Sequence, residues 1–261
     1  MDRDYLKKLA ENPQFIPGIY NYCDRWCERC AFTSRCMNYA LCEEEFRGGE
    51  AGDIKNEMFW QKLGGILGTT LEMVKETAEE MGIDLNSVDV ETSEEDELVR
   101  EAANEHVICC AAKRYADNVK AWFDTSGQIF ERAGESLTSR IMMGIAGDYP
   151  EDDMKKLEDV VAVVRWYQYQ IYVKLVRAVR GLVEKQRKSY GYAMGDAEGS
   201  AKVGLIGMDR SIEAWGQLMA LLPEQEDAIL NILVELKQLR RMTEETIPGA
   251  RDFVRPGLDE I

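Results

Sequence analysis

The sequence predicts an all-α protein, an antiparallel bundle of about four to five long helices preceded by an amino-terminal cysteine-rich segment. Three observations carry that prediction. Apolar residues recur at helical spacing through most of the chain after residue 53, and no stretch alternates apolar and polar residues as a half-buried strand would. Five of the seven cysteines crowd into residues 20–42. Glycine and proline fall where helices of ordinary length would end, and no internal repeat is present. At 261 residues the chain suits one large domain, or one with a small appendage. The reading divides it into a cysteine-rich segment, 1–52, and a helical bundle with an extended tail, 53–261.

In chain order, residues 2–11 form a short helix stopped by Asn12-Pro13. Phe15–Tyr22, with Pro17-Gly18, is an extended arm leading to the cysteines. A helix over 35–46 ends at the acidic run Glu43-Glu44-Glu45, and 47–53 is a glycine-rich linker. Residues 54–81 place Met58, Phe59, Leu63, Ile66, Leu67, Leu71 and Val74 at helical spacing, with Gly82 as the stop. An acidic loop over 83–93 closes at Ser93, with Asp96 three residues on, a capping-box-like start. Helix then runs to about Ala146, broken near Asp124–Gly127, and Gly147–Pro150 is a turn.

Residues 151–188 carry the clearest seven-residue pattern. Leu157, Val164, Ile171 and Ala178 make one row, and Val161, Leu175 and Leu182 its neighbour. A glycine-rich connection over 190–199 precedes helices at 200–222 and 224–247, parted at Pro223. Residues 248–261 leave the helix and run over the surface, because Pro248-Gly249 and Pro256-Gly257 are both breakers.

The chemistry sits in the cysteine stretch. Cys23, Cys27, Cys30 and Cys36 run C-x3-C-x2-C-x5-C. On a helix the first three would share one face, and the small and hydroxylated residues Ala31, Thr33 and Ser34 would let Cys36 bend back towards it. Four thiolates converging in so short a span are what a tetrahedral metal ion or an iron–sulfur cluster needs. Zinc sites of four thiolates usually pair two separated C-x2-C knuckles, whereas a continuous wrap of ligands favours a 4Fe–4S cluster. Cys23–Cys30 also resembles the C-x3-C-x2-C of radical-SAM enzymes over eight residues, but the strands of that family's barrel are missing and Cys36 adds a fourth thiol. Cys27–Cys36 is similar to the C-x2-C-x5-C of auxiliary iron–sulfur domains, and that resemblance implies a cluster. Cys42 is a substitute ligand at most.

Composition narrows the partners. A net charge of −16 disfavours nucleic acid, and Arg25, Arg29 and Arg35 are better used to offset a thiolate-ligated centre. Neither a signal peptide nor an eighteen-residue apolar run is seen, so a cytoplasmic protein away from the membrane is expected. In a reducing compartment clustered cysteines bind metal or do redox work rather than form disulfides. Long amphipathic helices fit a homodimer, and a cluster would call for a redox partner protein.

Other residues yield weaker candidates. His106, the only histidine, forms an i, i+3, i+4 group with Cys109 and Cys110, readable as a second ligand set or as a thiol with its base, but more simply as a packed histidine within a helix. A ferritin-like di-metal site needs two histidines and is excluded; Glu131 and Glu135 then belong to a solvated face. The aromatic run Trp166–Tyr172 reads as core, with Arg165, Lys174, Arg177 and Arg180 making a basic face for a small anion or an acidic surface of the same protein. Gly204 and Gly207 allow close helix approach, since no phosphate-loop pattern surrounds them. The expected function is a metal-binding protein whose cluster serves electron transfer or redox sensing. The alternative is a zinc-stapled helical interaction module without catalysis.

Overall fold

The computed structural model describes residues 3–85, 92–144, 149–187 and 193–259. Their regular structure is entirely helical, with no strand among the described residues. Ten α-helices are described: α1 (Arg3–Ala10), α2 (Met37–Phe46), α3 (Gly49–Gly52), α4 (Glu57–Glu80), α5 (Thr92–Glu105), α6 (Val107–Thr125), α7 (Gly127–Met143), α8 (Pro150–Arg187), α9 (Ala193–Leu221) and α10 (Glu226–Thr246). Packing resolves two compact units. One comprises Met1–Glu95 together with Arg255–Ile261, and the other Asp96–Val254.

The larger unit is built on α8 and α9. Pro150 opens α8, where its missing N–H costs nothing, and Glu151, Asp152 and Asp153 complement the dipole in the first turn. The predicted row Leu157, Val164, Ile171 and Ala178 is buried along its length. On α9, a Cβ added at Gly204 would stand 3.3 Å from Leu175, and one at Gly207 only 2.9 Å from the ring of Tyr167. Those two glycines therefore set how closely the helices lie. Helices α6 and α10 complete the core, each packing on the other, with α6 also on α8 and α10 also on α9.

Two polar tips within this core are paired, as burial favours, whereas the Trp122 indole N–H is buried without a hydrogen-bond partner among the described residues. Trp215 Nε1 donates to the Tyr115 hydroxyl at 3.2 Å, and Gln168 Nε2 donates to the Ala116 carbonyl at 2.8 Å. Trp122 meets Trp215 edge-on, ring centroids 4.9 Å apart. The aromatic run is thus largely core, with Tyr167 fully buried and Tyr169 half exposed. Beyond α10, Arg251 bridges Asp209 at 2.6 Å and Glu244 at 2.7 Å, tying the residues after that helix to α9 and α10.

Three expectations change. The helix expected to run unbroken from 93 to Asp124 parts at His106, although the break at Ser126 falls where it was expected. Helix α9 begins seven residues before the expected 200, at Ala193. The apolar stripe of α4 is not a core face: Met58, Leu67, Leu71 and Val74 are exposed, and Ala78 is the one buried residue of that helix. Its carboxyl end behaves as read, with Gly82 adopting φ 70°, whereas it starts at Glu57 rather than 54, where Asn56 Oδ1 accepts from Met58 N at 2.9 Å. The acidic loop's cap at Ser93 and the turn at Gly147 lie outside the residues whose side chains are described.

The glycines of α9 make a paired prediction. Gly207→Leu should destabilise the larger unit by about 2 kcal/mol or more through overpacking against Tyr167 and Ile171. Gly216→Ala, with open space around its added Cβ, should stabilise it by about 0.5–1 kcal/mol through helix propensity. Urea unfolding midpoints check both; equal shifts would mean the glycines do not set the helix spacing.

Candidate functional site

The four cysteines come together, but not on a helix. Residues 23–30 contain only a single 3-10 turn, Cys27–Arg29, and a second such turn covers Thr33–Arg35. The i, i+4, i+7 expectation fails for a local reason. Asp24 Oδ1 accepts from Trp26 N at 3.2 Å, closing an Asx-type turn in which Arg25 takes φ 58°, incompatible with a right-handed helix. The arm before it is a series of turns rather than an extended strand, with Gly18 at φ 72°.

Backbone hydrogen bonds then carry each thiol to one place. Cys30 N donates to Cys27 O at 3.1 Å, and Phe32 N donates to Cys30 Sγ at 3.4 Å, so these two cysteines flank a compact knuckle. Cys36 N donates to Thr33 O at 3.2 Å, and Cys36 occupies the N-cap of α2. Ile16 N reaches across to Arg35 O at 3.0 Å and fastens the arm beside Cys36. The result is a small pocket of about 30 Å³ lined by all four cysteines. Ile19, Trp26, Phe32 and Tyr39 form much of its wall, and so does Leu258 from far along the chain.

All seven cysteines are free thiols. Burial pushes the Cys27 thiol above its ordinary 9.0, and Cys23, Cys36, Cys30 and Glu28 push it further in the same direction. Three other sulfurs therefore act electrostatically on this one. Burial likewise raises Cys42, where Arg25 opposes the shift and Cys36 adds to it, which puts Cys42 beside the group. The Arg29 guanidinium lies over the Trp26 ring, 4.0 Å from its centroid. Among the described residues, no group of three or more His, Cys, Asp or Glu side chains is arranged to hold a metal ion as it stands. The thiols thus share a pocket without having closed on a common point.

The second candidate dissolves on inspection of its contacts. His106 is not inside a helix; it is the N-cap of α6, its Nδ1 accepting from Ile108 N at 3.4 Å. Cys110 Sγ donates to the carbonyls of Asn104 and Glu105, at 3.4 and 3.6 Å, finishing the preceding helix. Cys109 is fully buried and its thiol is pushed up to about 12, by burial first and Cys110 second. A nucleophile needs a depressed thiol pKa and access, and Cys109 has neither. On the basic face of α8, Arg177 Nε donates to Asp196 of the same chain at 3.0 Å. Glu131 and Glu135 are exposed.

No family model, no curated protein and no solved structure matches this chain. No helix among the described residues is long and apolar enough to cross a membrane.

The histidine cap has a pH signature. Burial lowers the His106 pKa below its ordinary 6.5, so the folded chain favours the neutral ring that can accept from Ile108. The resulting stability is complete above 6.5 and is lost as pH falls through the depressed value. His106→Asn, a strong cap without a proton to gain, should keep the stability near neutrality and flatten part of the loss between about pH 7 and 5. Thermal unfolding of both proteins across that range checks it; parallel curves would remove the cap from the account.

Proposed function

We propose that Cys23, Cys27, Cys30 and Cys36 hold one metal centre through four thiolates, read first as a 4Fe–4S cluster serving electron transfer or redox sensing. The observation that carries this reading is the shared pocket: four cysteines, all free thiols, lining one small cavity with an apolar wall. The donor set fits such a group chemically, since soft thiolates select zinc and iron–sulfur clusters over hard cations. Bound there, the cluster would supply one-electron chemistry. The chain's own residues would bury it under Trp26 and Phe32 and bring arginine charge near it, both of which tune potential.

The packing of this unit supports a metal independently. Its buried apolar side chains are Ile19, Ala51 and Ala78 among the described residues, whereas the larger unit buries Trp215, Tyr115, Tyr167 and many aliphatics. A region with so small a core commonly depends on a metal or on cross-links. Metal uptake at such a site would release the thiol protons and complete the local fold.

Zinc in a non-catalytic interaction module is the second reading, and one observation favours it. The same unit presents an open apolar groove of about 660 Å³, with Leu6, Leu9, Met37, Leu41, Ile66 and Met73 among its walls. A groove of that size and character is what a docking module would offer.

Colour and metal content separate the two readings. Protein purified without oxygen should be brown and absorb visible light if a cluster is bound, and colourless with one zinc if not; iron-free, zinc-free protein sinks both. Cys36→Ser should abolish or strongly reduce bound metal, whereas Cys110→Ser should leave it unchanged. Metal retained in full by Cys36→Ser would overturn the ligand assignment.

Proton competition gives a further check. Each thiol that binds metal must lose its proton, and Cys27 starts above its ordinary value. The apparent affinity for zinc should therefore rise about tenfold or more between pH 6.5 and 7.5, measured against a chromophoric chelator. An affinity independent of pH would exclude thiolate ligation.

A further inference from the structure

Residues 255–259 belong with the cysteine-bearing unit although most of the chain separates them from it in sequence. Leu258 lines the pocket alongside the four cysteines. Its neighbour Gly257 adopts φ 67°, and a Cβ built there would lie 2.6 Å from Ile16 Cγ2 and 2.9 Å from Ile16 Cδ1. Only glycine permits both that backbone and that approach. Ile16 is in turn bonded to Arg35, one residue before Cys36.

The segment is also locked within itself. Arg255 Nη2 donates to Asp259 Oδ1 at 2.7 Å, its Nε donates to both carboxylate oxygens at 3.1 Å, and its backbone N donates to Oδ2 at 3.0 Å. Leu258 N and Asp259 N both donate to the Arg255 carbonyl, at 3.1 and 3.2 Å. Both charged side chains are mostly buried, at 16% and 22% exposure, so this pair is shielded from the screening that weakens surface ion pairs. The turn thus holds its own shape, and Leu258 and Gly257 bring it against the thiol pocket and Ile16.

We propose that residues 255–259 are a latch over the thiol pocket, and that loading of the metal centre and docking of the latch stabilise each other. The inference rests on the four-thiolate reading above. Leu258 keeps water and oxidants from the sulfurs, and a loaded centre draws in the walls against which Leu258 and Gly257 pack. By linkage, whatever factor the docked latch adds to metal affinity, the metal adds to latch docking.

The test uses the full chain with cobalt(II) as probe, followed by its thiolate absorption. Two variants loosen the latch in different ways: Gly257→Val by clash with Ile16, and Asp259→Asn by weakening the turn. Loaded protein of either variant should release cobalt to EDTA about tenfold faster than the parent, with helicity unchanged. Hydrogen exchange over 255–259 should be slower in loaded than in metal-free parent protein. If Gly257→Val loses helicity, Asp259→Asn decides. Release at the parental rate from helical variants overturns the latch. Failure of the parent to take up cobalt overturns the metal centre and the coupling with it. Alkylation by N-ethylmaleimide then tests the cover alone: Cys23, Cys27, Cys30 and Cys36 should react faster in both variants while exposed Cys110 does not change, and equal rates remove the cover as well.

Discussion

The close approach of α8 and α9 is the constraint on which the larger unit depends. Two helices can lie this near only where one presents no side chain, and Gly204 and Gly207 provide that strip against Leu175, Tyr167 and Ile171. Once the pair is fixed, the remaining core follows. Tyr167 is pressed against the α9 backbone with its hydroxyl turned to Arg210, and Gln168, next along the helix, faces α6 and bonds the Ala116 carbonyl. Trp215 of α9 meets Trp122 and Tyr115 of α6. Directional hydrogen bonds from buried aromatic tips make alternative registers costly, because a slip would strand each of them without a partner.

The cysteine-bearing unit is held together on a different principle. Its longest helix, α4, leaves Leu67, Leu71 and Val74 more than half exposed, and hydrophobic burial contributes little there. Its order comes instead from turns closed by short-range hydrogen bonds: Asp24 with Trp26, Cys27 with Cys30, Thr33 with Cys36, Arg255 with Asp259. Such bonds are each worth about 1 kcal/mol net, too little singly to hold a loop against its conformational entropy. The two units of one chain therefore differ in kind, one specified by packing and the other by local turns around a cluster of sulfur.

This difference also decides what was legible in the sequence. Long periodic elements were: the buried row of α8, the parting at Pro223 and the close-approach glycines all announce themselves through spacing within one segment. The break at His106 was not, because histidine is an uncommon cap and the apolar period runs through it; the only local signal was a polar ring ahead of Ile108. Helical spacing of Cys23, Cys27 and Cys30 misled for the converse reason. The period was right, but Asp24 offered the backbone a side-chain acceptor two residues on, and that competing turn prevailed. Residues 255–259 read as surface because a docking partner distant in sequence leaves no periodic trace. Gly257 looks like a simple breaker until Ile16 is beside it.

Arg25 shows why the sulfurs matter to this second mode of construction. A non-glycine residue at φ 58° costs about 1 kcal/mol, and such strain persists only when its surroundings over-determine it. Near Arg25 the surroundings are weak: a few turns, a half-buried tryptophan and scarcely any core. The same conformation nonetheless sets the turn that lets Cys23 and Cys27 face one pocket instead of diverging along an extended chain. A four-thiolate metal contributes on the order of 10 kcal/mol to folding, many times the local strain. On the proposed reading ligation would reinforce a turn that Asp24 already closes: the geometry aims sulfur inward, and a bound metal would offset the backbone strain at Arg25.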